Sequence, residues 1–366
     1  MYSQVLSPTK VARNAVDKIR EHTNAPLAQC QSALIATLNL LRPHISSQQL
    51  EEISQSALDY TVDVDTCFDR QCLNTVSKSL HQIFSEKKEL SYSNSQDDVE
   101  IVKCLEVFSD VTNKTDPRIP LLVVSENDFD WLNDLVTVFE MDQNEVVKEA
   151  CMKCLMTLLS RCPDGVTPML LETSLSSVLT SMVASSNNQS ALKLLSMLYS
   201  LDLPPPIHHC DFLNGDFFYQ LMTSLDRYDG TLVLQLLENV HYVFELACFP
   251  SNTVLQSVEE DPNKFISMGH VLVSELNQRC TERRIHLLNA IAALGAENFR
   301  NIFYSNDITV LSHVLARTVI DTESEKMCKI AMESLLGLLN IGVVNETDRN
   351  IVEAIEEFGA RQTRTG

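Results

Sequence analysis

Three cysteines lie close enough along the chain to raise the question of metal or redox chemistry. Cys151 and Cys154 are separated by two residues, and Cys162 follows eight residues later. A Cys-x-x-Cys pair binds zinc when a second pair completes four ligands, and it carries redox chemistry when one thiol is activated. The sequence has no second pair at such a spacing, and both cysteines fall on the apolar stripe of a predicted helix. We therefore interpret them as core residues.

A group of acidic residues resembles the start of a calcium-binding loop. Asp63, Asp65 and Asp69 lie at suitable spacings, but such a loop needs Gly at its sixth position and Glu at its twelfth. Those positions hold Phe68 and Asn74. The pattern therefore favours the N-terminus of a helix, where acidic side chains are stabilised by the helix dipole.

Histidines and arginines form two further clusters. The run His208-His209-Cys210 follows the prolines at 204–206, but no other residue completes a metal-ligand set, so we predict a surface loop. The only basic cluster consists of Arg279, Arg283, Arg284 and His286. Two interpretations stay open for it: contact with an acidic patch on a partner, or a solvent-exposed face with intrahelical pairs to Glu275 and Glu282.

Composition excludes several classes of protein. The chain of 366 residues carries 28 Lys and Arg against 49 Asp and Glu, a net charge of −21, which disfavours nucleic acid and anionic membranes as main partners. Only nine residues are Gly, and no nucleotide-binding, hydrolase-elbow or zinc-helix motif is present. The sequence therefore predicts no cofactor and no metal, and a binding scaffold rather than an enzyme.

The N-terminal ten residues contain no apolar run, and no stretch is long and apolar enough to enter a membrane. Eleven cysteines are scattered without the spacing of a disulfide framework, as expected for reduced thiols. We therefore expect a cytoplasmic protein without membrane insertion.

Helical periodicity dominates the chain. Apolar residues recur at intervals of three and four residues, which places them on one face of an α-helix. The clearest stripe consists of Val233, Leu236, Leu237, Val240, Val243, Phe244 and Ala247. Similar stripes cover residues 147–159 and 327–339, and no convincing two-residue alternation is found. The sequence predicts an all-α protein.

Local signals mark where the helices begin and end. Ser7-Pro8 is predicted to open the first helix, and Asn24 with Pro26 the second. Residues 162–165 are predicted to end one helix, and Thr167-Pro168 to start the next.

Later breakers divide the rest of the chain. The proline triplet at 204–206 is the strongest breaker, and 214–216 is predicted as a turn into a helix. The polar stretch 91–98 is predicted to be a loop between helices.

These segments amount to about sixteen to twenty helices, with pairs or triplets recurring every ~40 residues. That organisation predicts an armadillo/HEAT-like helical solenoid, with a compact helical bundle as the alternative. We expect one helical-repeat domain over residues 1–366, with a possible subdivision near 203–212.

One segment near the C-terminal end carries a more specific pattern. An Ile-Phe-Tyr triplet is followed by an Asp three residues after the Tyr, an Arg ten residues further on, and an Asp four residues beyond. The positions are Ile302, Phe303, Tyr304, Asp307, Arg317 and Asp321. This segment resembles the C-terminal part of the leucine-rich, armadillo-type domain of the WISH/DIP family. That family includes the Nck-interacting protein with an SH3 domain and its short fungal relatives.

Weaker similarity to the family extends over about residues 5–345. Residues 19–40 resemble its opening helices, and residues 171–182 resemble a helix in the middle of its domain. The SH3 domain and the proline-rich region of the larger animal members have no counterpart in this sequence. The chain thus resembles a short member, or an armadillo domain taken from a longer protein.

The resemblance implies an activator of the actin-related protein 2/3 complex. Such an activator nucleates linear filaments without a preformed mother filament, by binding and stabilising the active conformation of the complex. The implied location is the cytoplasm, in cortical actin patches and endocytosis, with the actin filament pointed end and formin as further partners. The alternative is a scaffold that links formin or endocytic proteins to cortical actin without activating the complex.

The matched positions are the candidate protein-binding residues. Phe303 and Tyr304 are expected as aromatic anchors, with Asp307, Arg317 and Asp321 as polar contacts. Structural interpretations remain open for each residue. Phe303 also fits a buried stripe, Asp307 fits a helix N-cap before residues 308–319, and Arg317 with Asp321 fits an ion pair along one helix.

Overall fold

The computed structural model describes residues 6–45, 47–93 and 97–365, and this part of the chain is built from helices. Helix accounts for 77% of the structure, and the described residues contain no strand. Twenty α-helices are present there, together with short 3-10 helices at Ile207–Asp211, Leu225–Arg227 and Pro262–Phe265. The prediction of an all-α, solenoid-like fold is confirmed.

Contacts between helices divide the chain into two compact units, Met1–Thr173 and Ser174–Gly366. The proline triplet, where the sequence suggested a subdivision, lies within the second unit. The described helices of the first unit are α1 (Pro8–Thr23), α2 (Leu27–Leu41), α3 (Gln48–Leu58), α4 (Phe68–Glu89), α5 (Asp98–Lys114), α6 (Arg118–Val124), α7 (Asp130–Met141), α8 (Glu145–Arg161) and α9 (Pro163–Leu171).

The first unit begins with a three-helix cluster, in which α1, α2 and α3 contact one another around a small apolar core that includes Val16 and Leu34. Helix α4 then packs on α5, α6 and α7, and α5 packs along α8. This arrangement places α5 and α8 side by side although 30 residues separate the end of α5 from the start of α8.

The second unit continues the helical pattern. Its described helices are α10 (Leu175–Ser186), α11 (Gln189–Leu198), α12 (Gly215–Thr223), α13 (Gly230–Leu246), α14 (Thr253–Glu260), α15 (Ile266–Gln278), α16 (Glu282–Ala293), α17 (Ala296–Ile302), α18 (Ser305–Asp321), α19 (Glu325–Asn340) and α20 (Arg349–Thr365).

These helices form two layers. In one layer α11 packs on α13, α13 on α16, and α16 on α19. In the other layer α10 contacts α12, α12 contacts α14, α15 contacts α18, and α18 contacts α20. Contacts such as α18 with α19 join the two layers. Stacked layers of this kind are typical of armadillo and HEAT repeats.

Polar contacts between helices follow the same spacing as the repeat. Asn239 donates through Nδ2 to the carbonyl of Ser196, 43 residues earlier, at 3.0 Å. In the first unit, Asn144 donates to Asp98, 46 residues earlier, at 2.8 Å. These two hydrogen bonds span 43 and 46 residues, which supports the predicted period of ~40 residues.

Several helix starts agree with the sequence. Ser7 caps α1 and accepts a hydrogen bond from the Lys10 amide, with Pro8 in the first turn. Asn214 caps α12 and accepts from the Phe217 amide at 3.0 Å. These side chains satisfy amide groups that have no partner within the helix.

Two boundary predictions were wrong. Asn24 closes α1 in a left-handed conformation, at φ 52°, rather than opening α2, because Asn tolerates that conformation almost as well as Gly. The helix predicted to start at Thr167-Pro168 starts earlier, at Pro163, because proline is favoured in a first turn. Pro168 lies inside α9.

The predicted loop at 91–98 falls between α4, which ends at Glu89, and α5, which begins at Asp98. Ser91 and Tyr92 adopt positive φ values of 52° and 56°, as residues in a tight turn do. Positions 94–96 of the predicted loop lie outside the described residues.

A buried lysine joins three segments of the first unit. Lys87 of α4 lies 2.6 Å from Asp98 of α5 and 2.9 Å from Asp142, which follows α7, and it donates to the Ser93 carbonyl. All three charged side chains are more than nine-tenths buried. Burial by itself lowers the pKa of Lys87, but hydrogen bonds to the two carboxylates outweigh it, so the pKa is raised. The ammonium group therefore stays charged inside the fold.

Replacing Lys87 with methionine is expected to destabilise the first unit by about 3–5 kcal/mol, because it leaves two buried carboxylates without a counter-charge. The control is Lys18→Met, since Lys18 is 70% exposed and pairs only with Glu21 at the surface. That change should cost less than about 1 kcal/mol. Denaturant unfolding followed by circular dichroism measures both, and equal costs would contradict a structural role for Lys87.

Candidate protein-binding surface

The matched segment spans the junction of α17 and α18. Gly295 precedes α17 at φ 101°, a conformation that L-residues rarely adopt, and so allows the chain to turn sharply after α16. Phe303 and Tyr304 then take extended backbone conformations between the two helices. As a result, one of these two adjacent aromatic side chains points into the core and the other points into solvent.

Phe303 lies in the core of the second unit. Its side chain is 1% exposed, and its ring centroid lies 4.6 Å from that of Phe299. Gly269 of α15 makes this packing possible, because a Cβ there would come within 2.9 Å of the Ile302 side chain and 3.1 Å of its carbonyl oxygen. The structure therefore places Phe303 as a packing residue, not as an accessible aromatic anchor.

Tyr304 faces solvent at the start of α18. It is 57% exposed, and its ring centroid lies 5.5 Å from that of His270 on α15. A large aromatic ring held partly against a neighbouring helix can bury substantial area on contact with a partner. Tyr304 is thus available as an anchor at the surface.

Asp307 has a local structural role. Its Oδ2 accepts a hydrogen bond from the Tyr304 amide at 3.0 Å and lies 3.5 Å from Nδ1 of His270. The helix begins at Ser305, so Asp307 is the third residue of α18 and not the predicted N-cap. The sequence interpretation started the helix too late, because the extended backbone at Tyr304 brings the helix start forward.

Arg317 and Asp321 lie on the exposed face of α18. Together with Asn306, Val310 and His313 they follow a spacing of three and four residues, which makes one stripe along the helix. The predicted ion pair is wrong: the described structure holds none between Arg317 and Asp321. Arg317 turns instead to Asn277 at the end of α15, with Nη2 3.3 Å from Oδ1.

A polar groove adjoins Tyr304. It has a volume of about 410 Å³, and its walls come from α17, the first half of α18 and the connection before α20. Arg300 donates to the carbonyl of Gly342 at 2.8 Å, and His313 lies 3.0 Å from Asp348 across the groove. A hydrogen bond from His313 lowers the pKa of Asp348. We call this feature the Tyr304 groove.

The five predicted residues therefore divide by position. Tyr304 lines the Tyr304 groove. Asp307 lies beside Tyr304, and Arg317 and Asp321 lie about 15 and about 21 Å further along α18 than Asp307, at the usual rise per residue. Phe303 supports them from inside. Four of the five residues are thus on or next to one exposed helix face.

The three cysteines considered first are core residues. Cys151 and Cys154 are fully buried, and Cys162 is nearly so. Burial raises the pKa of Cys154 to about 12 and that of Cys162 to about 11, so both are thiols at neutral pH. Thiols of this kind lack the thiolate that redox chemistry requires.

The acidic residues before α4 act in structure. Asp63 accepts hydrogen bonds from the amides of Asp65 and Thr66, as in a turn that leads into a helix. Asp69 lies in the first turn of α4 and pairs with the buried Arg20 of α1 at 3.0 Å. That pair joins residues 49 positions apart, and no local pattern signalled it.

The histidine run is not a surface loop throughout. It forms a short 3-10 helix in which His208 is exposed but His209 is fully buried. Nδ1 of His209 lies 2.6 Å from the hydroxyl of Tyr199, and burial raises the pKa of that tyrosine well above its ordinary value. The prediction failed because the spacing of residues around His209 does not show that Tyr199, which follows α11, packs against it.

The basic cluster is largely neutralised within the fold. Arg284 is buried and pairs with Glu238 of α13 at 3.2 Å and with Glu275 of α15 at 3.0 Å. Burial raises the pKa of Glu238 despite the neighbouring guanidinium. The pairs are between helices, so the predicted solvent-exposed face was wrong at Arg284.

Arg283 is held by α13 and by the segment that follows α11. It donates to Asp202 and to Asn239, both at 2.6 Å, and its guanidinium lies 4.8 Å from the centre of the Tyr242 ring. The predicted partner Glu282 pairs with Lys326 of α19 instead. Arg279 is the exposed cation of the cluster.

No group of three or more His, Cys, Asp or Glu side chains in the described residues converges as a metal site. None of the helices in that part of the chain combines the length and the apolar character needed to cross a bilayer. Comparison with models of known protein families gives no match to this chain, and neither does comparison with curated proteins.

Truncating the two aromatic residues is expected to have opposite consequences for stability. Phe303→Ala should destabilise the second unit by about 3–5 kcal/mol, because it opens a cavity in the core. Tyr304→Ala should cost less than about 1 kcal/mol, since the exposed ring is lost while the backbone bond to Asp307 is kept. Denaturant unfolding of both variants tests this, and similar costs would contradict the assigned environments.

Proposed function

We propose that this chain activates the actin-related protein 2/3 complex and so nucleates linear actin filaments without a preformed mother filament. The observation that carries the proposal is the exposed α18 face, on which Tyr304, Arg317 and Asp321 of the matched segment remain accessible. The Tyr304 groove beside it supplies a concave polar contact for a partner element. The resemblance of the segment to the WISH/DIP family supports the identity of the partner.

The mechanism is a shift of population. A protein that binds the active arrangement of the complex more tightly than the inactive one moves the equilibrium toward activity. A nearly complete switch requires a differential of about 5.5 kcal/mol. Side chains held on a packed helix suit this task, because less conformational entropy is lost when they engage. The chain itself contributes contacts and no chemistry in this mechanism.

A scaffold without activating power is the second candidate function. It would link formin or endocytic proteins to cortical actin, and a contact with the actin filament pointed end fits either role. Both candidates place the protein in the cytoplasm at cortical actin patches. The exposed α18 face serves both equally well, so only an activity measurement separates them.

The decisive experiment is polymerisation of pyrene-labelled actin with the purified complex. Activation predicts that adding this protein shortens the lag without preformed filaments, and that microscopy shows unbranched filaments. An unchanged lag across micromolar protein, with binding to the complex retained in a pull-down, would leave the scaffold as the function.

Two surface variants test the site. Tyr304→Ala and Arg317→Glu are each expected to weaken binding to the complex by about tenfold, the effect of losing one interface anchor. The control is Lys329→Glu, which reverses an exposed charge on α19 of the same unit. If both variants bind as the unmodified chain does while circular dichroism shows intact helices, the interface lies elsewhere.

The net charge of −21 adds a prediction about salt. Raising the salt concentration from about 50 to about 500 mM should weaken binding several-fold, because screening shortens the reach of the attraction to a basic partner surface. Fluorescence anisotropy with the labelled complex measures this dependence. An affinity that stays constant across the series would contradict an electrostatic contribution.

A further inference from the structure

Helices α5 and α8 of the first unit run side by side in the same direction. Asn144, next to the start of α8, donates to Asp98 at the start of α5 at 2.8 Å. At the other end, Arg161 of α8 donates to the carbonyl of Thr115 just after α5, at 2.6 Å. These hydrogen bonds join the two helices at both ends. A groove lies between the helices, and we call it the α5–α8 groove.

The floor of the α5–α8 groove is apolar. Val102 and Leu105 come from α5, and Val146 and Ala150 come from α8. Val146 is 64% exposed although it is β-branched and apolar, and Val99 near the start of α5 is 76% exposed. Val99 lies three residues before Val102 and therefore on the same face of α5, so exposed apolar side chains continue the apolar floor of the groove toward the start of that helix.

The rim of the α5–α8 groove is acidic. Three carboxylates, those of Glu106, Glu145 and Glu149, line it against the single ammonium group of Lys153. The nearest cation to Glu145 is Lys148, at 3.8 Å, which is too long for a hydrogen bond. The side chain of Glu145 is also 77% exposed. The rim therefore presents negative charge to whatever enters the groove.

We propose that the α5–α8 groove is a docking site for a basic amphipathic helix of a partner protein. An apolar floor between acidic edges is complementary to a helix with one apolar stripe and with Lys or Arg beside it. The groove has a volume of about 440 Å³. Its lining runs from 102 to 109 and from 145 to 153, or about 12 Å of helix, which matches two turns of a bound helix.

The acidic charge of the rim also favours a basic helix over a second copy of the chain as the occupant of the groove. In a symmetric dimer the same patch meets itself, so Glu106 and Glu145 would face the carboxylates of the other copy. Like charges brought together in an interface disfavour association. A basic helix meets the same rim with opposite charge, and the net charge of −21 on the chain adds long-range attraction.

The groove exists before any partner binds. Lys87 pairs with Asp98, the first residue of α5, and with Asp142, which precedes α8, and so fixes the starts of the two helices relative to each other. A preformed groove binds a helix at lower entropic cost than one that must open. The proposal does not depend on filament nucleation, since docking is measured without actin or the actin-related complex.

The test uses the full chain and fluorescein-labelled synthetic helices of about 18 residues, long enough to be helical when bound. The first peptide places Leu at positions i, i+3, i+4 and i+7 with Lys elsewhere. The second has the same composition with scattered Leu, and the third replaces Lys with Glu. Fluorescence anisotropy is expected to show that the first peptide binds at least about tenfold more tightly than either of the other two peptides.

Variants locate the binding. Val146→Lys should weaken binding of the first peptide by about tenfold, because it places a cation and a long side chain in the groove. Glu106→Gln should weaken it by about threefold, as expected for loss of a rim charge. The matched control is Val352→Lys on α20, where the valine is 40% exposed; it adds the same charge outside the groove.

Two results would overturn the proposal. If Val146→Lys and Val352→Lys weaken binding equally, the peptide responds to overall charge and not to the groove. If light scattering shows a dimer that Val146→Lys converts to a monomer, a second copy covers the groove instead. Unchanged thermal unfolding of Val146→Lys is the check that the fold is intact, and Glu106→Gln provides the same test without adding bulk.

Discussion

Buried charges that join helices one repeat apart are the interaction on which both units depend. Arg20 pairs with Asp69 across 49 residues, and Arg284 pairs with Glu238 across 46. Removing such charges from water is costly, so the fold is stable only when the partners meet at the right distance. Apolar stripes permit neighbouring helices to slide along each other, whereas a paired guanidinium does not. We infer that these pairs fix how each helix is placed on the next.

The helices themselves could be read from the sequence, because their periodicity is a local property. The stripe that begins at Val233 is the buried face of α13, and the stripes at 147–159 and 327–339 are those of α8 and α19. Helix ends were less predictable. Asn24 has the chemistry for either end of a helix, and Pro163 and Pro168 both suit a first turn, so local signals alone could not choose between them.

The environment of charged and polar residues was harder to predict, because it is set by partners that lie outside the residue's own helix. The sequence favoured a solvent-exposed face for Arg284, whereas in the structure it is buried and pairs with Glu238 of α13 and Glu275 of α15. His209 was predicted to lie in a surface loop, whereas in the structure it is buried and its ring contacts the hydroxyl of Tyr199. The same limit applied to the candidate site. The sequence singled out Phe303 and Tyr304 as aromatic anchors and left a buried position open for Phe303, and the turn between α17 and α18 buries Phe303 and exposes Tyr304.

The proposed recognition residues lie on helices whose opposite faces are packed into the fold. Tyr304 follows the buried Phe303, and α5, which lines the α5–α8 groove, begins at Asp98, the partner of the buried Lys87. A change at Phe303 or Lys87 is therefore expected to weaken binding only through the fold, since each side chain is 1% exposed. Changes at Tyr304 or Val146 alter the surface alone, because both side chains are more than half exposed. Loss of binding from an exposed residue, with the buried neighbour intact, is consequently the evidence that separates recognition from stability in either unit.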